Sequence, residues 1–320
     1  MQLSIIIVNW NSADFLVECI RSIRKHTQNI TYEIVIVDNA SAKGDLEKLR
    51  QQFPELTIIA SRENLGFAGA NNLGFGHATG EYVLFLNPDT QVVGPAVNTM
   101  VERIQSLPDA GIVGCKLLNA DLSVQLTSIQ KFPTILNQVL DLEYLQVRWP
   151  HCSLWGLAPL FSDDKNVVGV EAISGACMLL RRRVFEQVEM FSEDYFMYAE
   201  DIDLNYKVRD AGYTNYYVGD ATIIHYGGKS SGQQRVSQWS TMMKYRAMGK
   251  LFDNTKGKAQ GALYRVAMGC AAVGRLGLLA CAYPLGNVLW DRASLRYAIE
   301  KWTVVLRWAL GQQDMRFGDR

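Results

Sequence analysis

The chain has 320 residues, 48% of them hydrophobic and 20% charged, enough for one large α/β domain with an appendage or for two ordinary domains. Lys plus Arg and Asp plus Glu both number 32, so no global basic field exists to hold nucleic acid. A local basic patch stays open.

Residues 3–8 form an apolar, Ile-rich run suited to a strand covered on both faces. No basic segment precedes it and Asn9 follows at once, so it reads as a first strand rather than a leader. A cytoplasmic location, with peripheral attachment to the inner face of the cell membrane as its variant, is the expectation. Ser12 is placed to cap a helix in which Phe15, Leu16, Cys19, Ile20 and Ile23 recur at helical spacing. Strand patterns follow at 32–37, 56–60, 82–86 and 111–115, and helical ones at 46–53, 67–77 and 97–107. Repeated β–α units imply a mainly parallel sheet with right-handed crossovers. Ligands on such sheets bind beyond the carboxyl ends of the strands. The segments there (9–12, 38–41, 62–72 and 87–90) are dense in Asn, Asp, Ser and Gly.

Residues 117–168 are irregular. A strand returns at 177–180, then a helix over 201–209 with Gly212 as its C-cap, and short strands at 215–218 and 222–224. Residues 227–232 read as a flexible loop. Beyond Leu251 the chain is rich in Ala, Gly and Leu. The run 276–285 is short of the ~20 residues that cross a bilayer. With Arg265, Arg275, Arg292 and Arg296 nearby, helices lying in the membrane interface are the favoured reading, and packing on the preceding domain is the alternative. Six cysteines lack C-x-x-C or zinc spacing, so reduced, mostly buried thiols are expected.

Chemistry concentrates after the strands. Asp89, in Asn87-Pro88-Asp89, directly follows a buried strand, where a carboxylate can hold Mg²⁺ or Mn²⁺ together with phosphate oxygens; an ordinary turn is the alternative. Asp38-Asn39 can accept the imide N–H of a pyrimidine base or make an Asx-turn. In 62–72, Gly66 and Gly69 allow close backbone approach, and the Asn side chains supply donors and acceptors. Glu200, Asp201 and Asp203 follow an aromatic stretch; they suit a tuned general base or a helix-dipole partner. Glu200 and Asp203 can share one helix face, with Asp201 pointing elsewhere. His225 ends an apolar strand and can be structural, a metal ligand or a phosphate donor. Trp149, Trp155 and Phe161 can stack on sugar rings or pack in a core.

Together these stretches resemble family 2 of the inverting glycosyltransferases, with the GT-A fold, and within it bacterial rhamnosyltransferase-like members that build cell-surface polysaccharides. The matching segments are SIIIVNWN (4–11), VDNAS (37–41), NLGFAGANN (64–72), LFLNPDT (84–90), SGACMLLRRR (174–183), FMYAEDIDL (196–204) and HYGGKSS (225–231). The resemblance implies a GT-A catalytic domain over 1–250, with a donor-binding half to about 116 and an acceptor-binding half beyond. It leaves a helical C-terminal region over 251–320. It implies Asp201 as catalytic base, and Asp89 and His225 as metal ligands. Donor contacts fall on Asn9, Asp38, Asn39, Asn64, Gly66, Asn71, Asn87 and Lys229, and acceptor contacts on Glu200, Ser174 and Gly175. The implied partners are a dTDP- or UDP-linked sugar, a glycan or lipid-linked acceptor, a membrane surface and no nucleic acid. Two positions depart from the pattern. Asn87 replaces the first acidic residue of the metal motif, and Glu189-Met190-Phe191-Ser192-Glu193 stands where the family often has Gly-Gly-Phe-Asp-Glu. The rival readings are a nucleotidyltransferase, against which the absence of a basic Gly-rich loop at 9–12 argues, and a non-catalytic relative.

Overall fold

The computed structural model describes residues 1–42, 44–140, 148–149, 152, 167–227, 238–283 and 292–312. The first β–α units are β1 (Leu3–Asn9), α1 (Ala13–His26), β2 (Tyr32–Asp38), α2 (Asp45–Gln52), β3 (Thr57–Ala60), α3 (Gly66–His77) and β4 (Tyr82–Leu86). An unexpected strand β5 (Thr90–Val93) precedes α4 (Ala96–Ser106) and β6 (Ala110–Leu118). Short elements follow: β7 (Ile129–Gln130), α5 (Ile135–Val139), β8 (Val167–Val170) and β9 (Ala172–Ile173). Next come β10 (Cys177–Arg181), α6 (Arg182–Gln187), α7 (Glu200–Asp210) and β11 (Thr214–His225). The two short strands expected at 215–218 and 222–224 are one strand with a register shift between Val218 and Thr222. The C-terminal helices are α8 (Gln238–Lys256), α9 (Lys258–Ala282) and α10 (Arg292–Ala309).

The main sheet runs β3-β2-β1-β4-β10-β6-β11-β5, with β8 also on β11. Strands β3, β2, β1 and β4 are mutually parallel, and β6 is parallel to β11. Strand β10 is antiparallel to both β4 and β6. Alternate residues of each strand enter opposite cores. Ile5, Ile7, Leu84 and Leu86 pack with α1 and α4, whereas Ile6, Val83 and Phe85 pack with α3, α6 and α7. A sheet buried on both faces requires the near-continuous apolar runs read from the sequence.

This topology decides where the site lies. The carboxyl ends of β1, β2, β4, β6 and β11 share one edge. Antiparallel β10 starts at that edge, opposite the end of β4, because Cys177 pairs with Leu86. Strand β5 also starts there, with Thr90 opposite His225.

Helix α7 ends as expected at Gly212, whose φ is +89°. The N–H groups of Gly212 and Tyr213 return to the carbonyls of Arg209 and Val208 at 3.0 and 3.2 Å, which satisfies the last turn.

The chain forms two compact units. One comprises Met1–Phe132, Glu143–Phe196 and Glu200–Gly232. The other comprises Pro133–Leu142, Met197–Ala199 and Gln233–Arg320. In the second unit residues 276–282 of the apolar run 276–285 belong to the 25-residue helix α9, long and apolar enough to cross a membrane by length and composition. The expected segment of about ten residues is therefore corrected: Arg275 and the glycines do not interrupt the helix. All six cysteines are free; Cys19, Cys115 and Cys177 are buried, but Cys270 and Cys281 are exposed.

Candidate active site

Asn9 and Asp38 are register partners at the ends of β1 and β2, and both are buried. Asn9 donates its amide to Asp38 Oδ1 at 2.9 Å and to Ser41 Oγ at 3.0 Å. Ser12 donates to Asn9 Oδ1 at 3.0 Å and makes no side-chain cap to α1, which corrects that expectation: its hydroxyl serves Asn9.

Asn39 clasps the loop before α3. It donates to Asn64 Oδ1 at 2.9 Å and Gly66 O at 3.1 Å, and accepts from Leu65 N at 2.8 Å. Gly66 has φ +71°, and a Cβ there would lie 2.2 Å from Phe196 O. Asn71 is buried on α3 and donates to Phe67 O at 2.9 Å. The amide groups of Asn39 and Asn71 thus hold this loop and helix.

The β4–β5 turn meets the end of β11. Asn87 Nδ2 lies 3.3 Å from His225 Nε2, and Asp89 Oδ1 lies 3.4 Å from the same nitrogen. Gln125 Oε1 sits 2.8 Å from His225 Nδ1. A carbonyl oxygen only accepts, so Nδ1 carries a proton toward Gln125, and in the neutral ring Nε2 is the nitrogen that can take a ligand. Gln125 is held in turn, donating to Asn119 Oδ1 at 3.2 Å. A carboxylate oxygen and an imidazole lone pair side by side form a pair of ligands suited to a divalent cation. Mg²⁺ or Mn²⁺ accepts such a sparse protein set when phosphate and water complete it. Among the described residues no group of three His, Cys, Asp or Glu gathers for a metal.

One turn, residues 174–176, ties this corner to Asp201. Ala176 O accepts from Asn87 N at 3.0 Å, and Gly175 N donates to Asp201 Oδ2 at 2.9 Å. A Cβ on Gly175 would lie 3.1 Å from Asp201 Cβ, tight enough to displace it. Ser174 Oγ accepts from Ala176 N at 3.3 Å, which closes the turn. Asp201 Oδ1 accepts from Ile202 N at 2.8 Å. Burial pushes the Asp201 carboxyl above its ordinary range, against the pull of these N–H groups. Glu200 is 7% exposed, and its Oε2 is buried without a hydrogen-bond partner. Burial, followed by the neighbouring Asp201 charge, pushes its pKa up to about 8. Asp203 is buried too and accepts from Tyr195 OH at 3.0 Å.

Sequence reasoning missed three polar residues here. Asn205 donates to Asp201 O at 2.8 Å and Ile173 O at 2.9 Å, while its Oδ1 accepts from Ile173 N and Asn215 Nδ2 at 2.9 and 3.0 Å. Asn215, fully buried like Asn205, extends the network by accepting from Ile112 N at 3.2 Å. The available signal for Asn205 was a short polar amide one turn after Asp201. Gln125, in the irregular stretch, carried none. Lys229, Trp155 and Phe161 lie outside the described residues; Trp149 is 54% exposed.

The glycosyl transferase family 2 model matches residues 4–188, and the chain belongs to that family. It is a glycosyltransferase, which sets aside the nucleotidyltransferase reading. The N-acetylglucosaminyl-diphospho-decaprenol L-rhamnosyltransferase of Mycobacterium tuberculosis is 28% identical over 218 residues, 64% of this chain and 69% of the relative. Rhamnosyltransferase WbbL of Escherichia coli is 27% identical over 263 residues, 78% of this chain and 94% of the relative. Among solved structures, mannosyltransferase PcManGT from Pyrobaculum calidifontis, in complex with GDP-Man and Mn²⁺, superposes with a TM-score of 0.58 at 16% identity. That match covers 97% of this chain and 86% of the other, and the shared fold is GT-A.

Proposed function

We propose that this glycosyltransferase inverts the sugar it transfers, moving rhamnose or a related hexose from a dTDP- or UDP-linked donor to a hydroxyl of a lipid-linked glycan. The single observation that carries the mechanism is the 174–176 turn, whose consecutive residues bond Asn87 and Asp201. A loop able to carry a cation and a carboxylate able to take a proton are thereby held by one short backbone segment. Two relatives named as rhamnosyltransferases support the sugar, and the decaprenol-linked name of one supports the acceptor.

In this reading Asp38 and Asn9 receive the base and the 64–66 loop receives the nucleotide. Asp89 and His225 would hold Mg²⁺ or Mn²⁺, whose charge would neutralise the departing diphosphate. Asp201 accepts the proton of the acceptor hydroxyl as that oxygen bonds the anomeric carbon and the bond to diphosphate breaks. Attack opposite the leaving group inverts the centre. The two adjacent carboxyls divide their roles: burial favours the protonated form of Glu200, whose pKa is pushed up to about 8, whereas two backbone N–H groups favour the charged form of Asp201. Ser174, Gly175 and Glu200 shape the acceptor side.

The test is nucleoside-diphosphate release from a panel of nucleotide-sugars, with and without Mn²⁺, followed by transfer to a polyprenyl-diphosphate sugar. One donor should be consumed in a cation-dependent way. Asp201→Asn should bind that donor unchanged and transfer ~10²–10⁴ more slowly. Wild-type transfer by this variant would remove Asp201 from the role.

A further inference from the structure

We propose that the outward face of α9 lies in the plane of an anionic phospholipid leaflet. This face reads in three-dimensional order what the charge count hides. Gly261, Tyr264, Met268 and Ala272 form the helix's buried stripe. Tyr264 stacks on Phe252 with ring centroids 4.5 Å apart and lies 5.7 Å from Trp308. The opposite face exposes Leu263, Val266, Cys270, Val273, Leu278 and Cys281. Leu263 and Val266 are 53% and 63% exposed, and Leu278 is 72% exposed.

No charged side chain interrupts that face. Between Lys258 and Ala282 the charged residues are Arg265 and Arg275, and both turn away from it. Arg265 donates to the carbonyls of Ala309 and Trp308 at 3.0 and 2.9 Å. Arg275 donates to Val139 O at 2.8 Å and lies 4.0 Å over the Trp302 ring. Both arginines bond inside their own unit, leaving an apolar strip along 25 residues.

Charge selects the occupant. Residues 233–320 carry fourteen Lys and Arg against five Asp and Glu, while residues 1–232 carry eighteen against twenty-seven. A formally neutral chain is therefore strongly divided, with its positive share on the unit that bears the apolar strip. Apolar insertion plus attraction to anionic headgroups is the combination that holds interfacial helices. A second copy of this chain would bring two cationic units together. A bilayer-spanning placement would give lipid the face now packed on Phe252 and Trp308. An in-plane placement satisfies both faces.

The test uses the full chain and reads binding alone, so it stands or falls separately from the transferase mechanism. Cys152→Ser and Cys281→Ser leave Cys270 as the exposed thiol for an environment-sensitive fluorophore. The emission should shift to the blue with phosphatidylcholine vesicles carrying phosphatidylglycerol, and not with phosphatidylcholine alone. Roughly 0.5 M salt should release the protein, because the Debye length then falls to a few Å. Val266→Glu with Val273→Glu, at exposed positions that leave the fold intact by circular dichroism, should lower the vesicle-bound fraction about tenfold. No shift, or equal binding to neutral vesicles, overturns the proposal. A lipid-free dimer lost in the double variant assigns the face to a second copy, and resistance to alkaline carbonate extraction assigns it to a span; either also overturns it.

Discussion

Glu200 and Asp201 are adjacent carboxyls with different environments. Glu200 has a buried oxygen without a partner, whereas both oxygens of Asp201 accept backbone N–H groups. Burial of Glu200 raises its folded-state pKa from 4.5 to about 8. Its contribution to stability is therefore fully present below 4.5 and lost as pH rises through about 8. Glu200→Gln should flatten that dependence and melt higher than the wild type above pH 8, measured as Tm against pH. An unchanged Tm–pH curve would show that Glu200 ionises as an exposed carboxyl does. Asp201 is singled out by the sequence because its motif stands in family order. Gln125 is not, because its partner His225 is 100 positions away and only the fold makes them neighbours.

At the scale of elements, one of the two departures from the family pattern falls at a helix terminus. Glu189 and Met190 adopt φ +60° and +58°, and their N–H groups return to Glu186 and Phe185 carbonyls at 3.0 and 2.9 Å as α6 ends. These are left-handed positions, where the family's two glycines cost nothing and L side chains are strained. Glu189→Gly should therefore stabilise the protein by about 1 kcal/mol, seen as a higher denaturant midpoint. Gly66→Ala should do the opposite, by about 2–4 kcal/mol, because a methyl there meets Phe196 O as well as a positive φ. If both variants unfold with the wild type, backbone conformation at these two loops is not limiting. Strand β10 shows where periodicity stops informing. Its apolar run predicts a strand, but its antiparallel insertion between β4 and β6 is a pairing choice that its own side chains do not announce.

For the whole molecule, ligand and cation should act as one stabilising unit. The Asn9–Asp38 pair and the Asp89–His225 pair are set on different strand ends of one sheet, so on the proposed function a donor spanning both would tie β1 and β2 to β4 and β11. At about 100 times Kd such a ligand adds ~2.7 kcal/mol, a rise in Tm of several degrees for a chain of this size. Donor with Mn²⁺ should exceed the sum of the shifts from each alone. Additive shifts would mean that the cation does not meet the diphosphate. Charge also works at this scale, since the division between residues 1–232 and 233–320 vanishes in the total.

Apart from β5 and the elements of residues 117–170, the sequence by itself determined most of the strand and helix series, the doubly covered sheet and the loops that carry polar residues. Those features follow from local periodicity and from turn residues that act within a few positions. Tertiary structure alone decided that β10 begins where β4 ends and that the 174–176 turn bonds both Asn87 and Asp201. It also decided that Arg265 and Arg275 turn away from the outer face of α9. Each of these depends on partners far apart in the chain. Backbone pairing and side-chain direction are chosen by packing as a whole, not by the residues on either side.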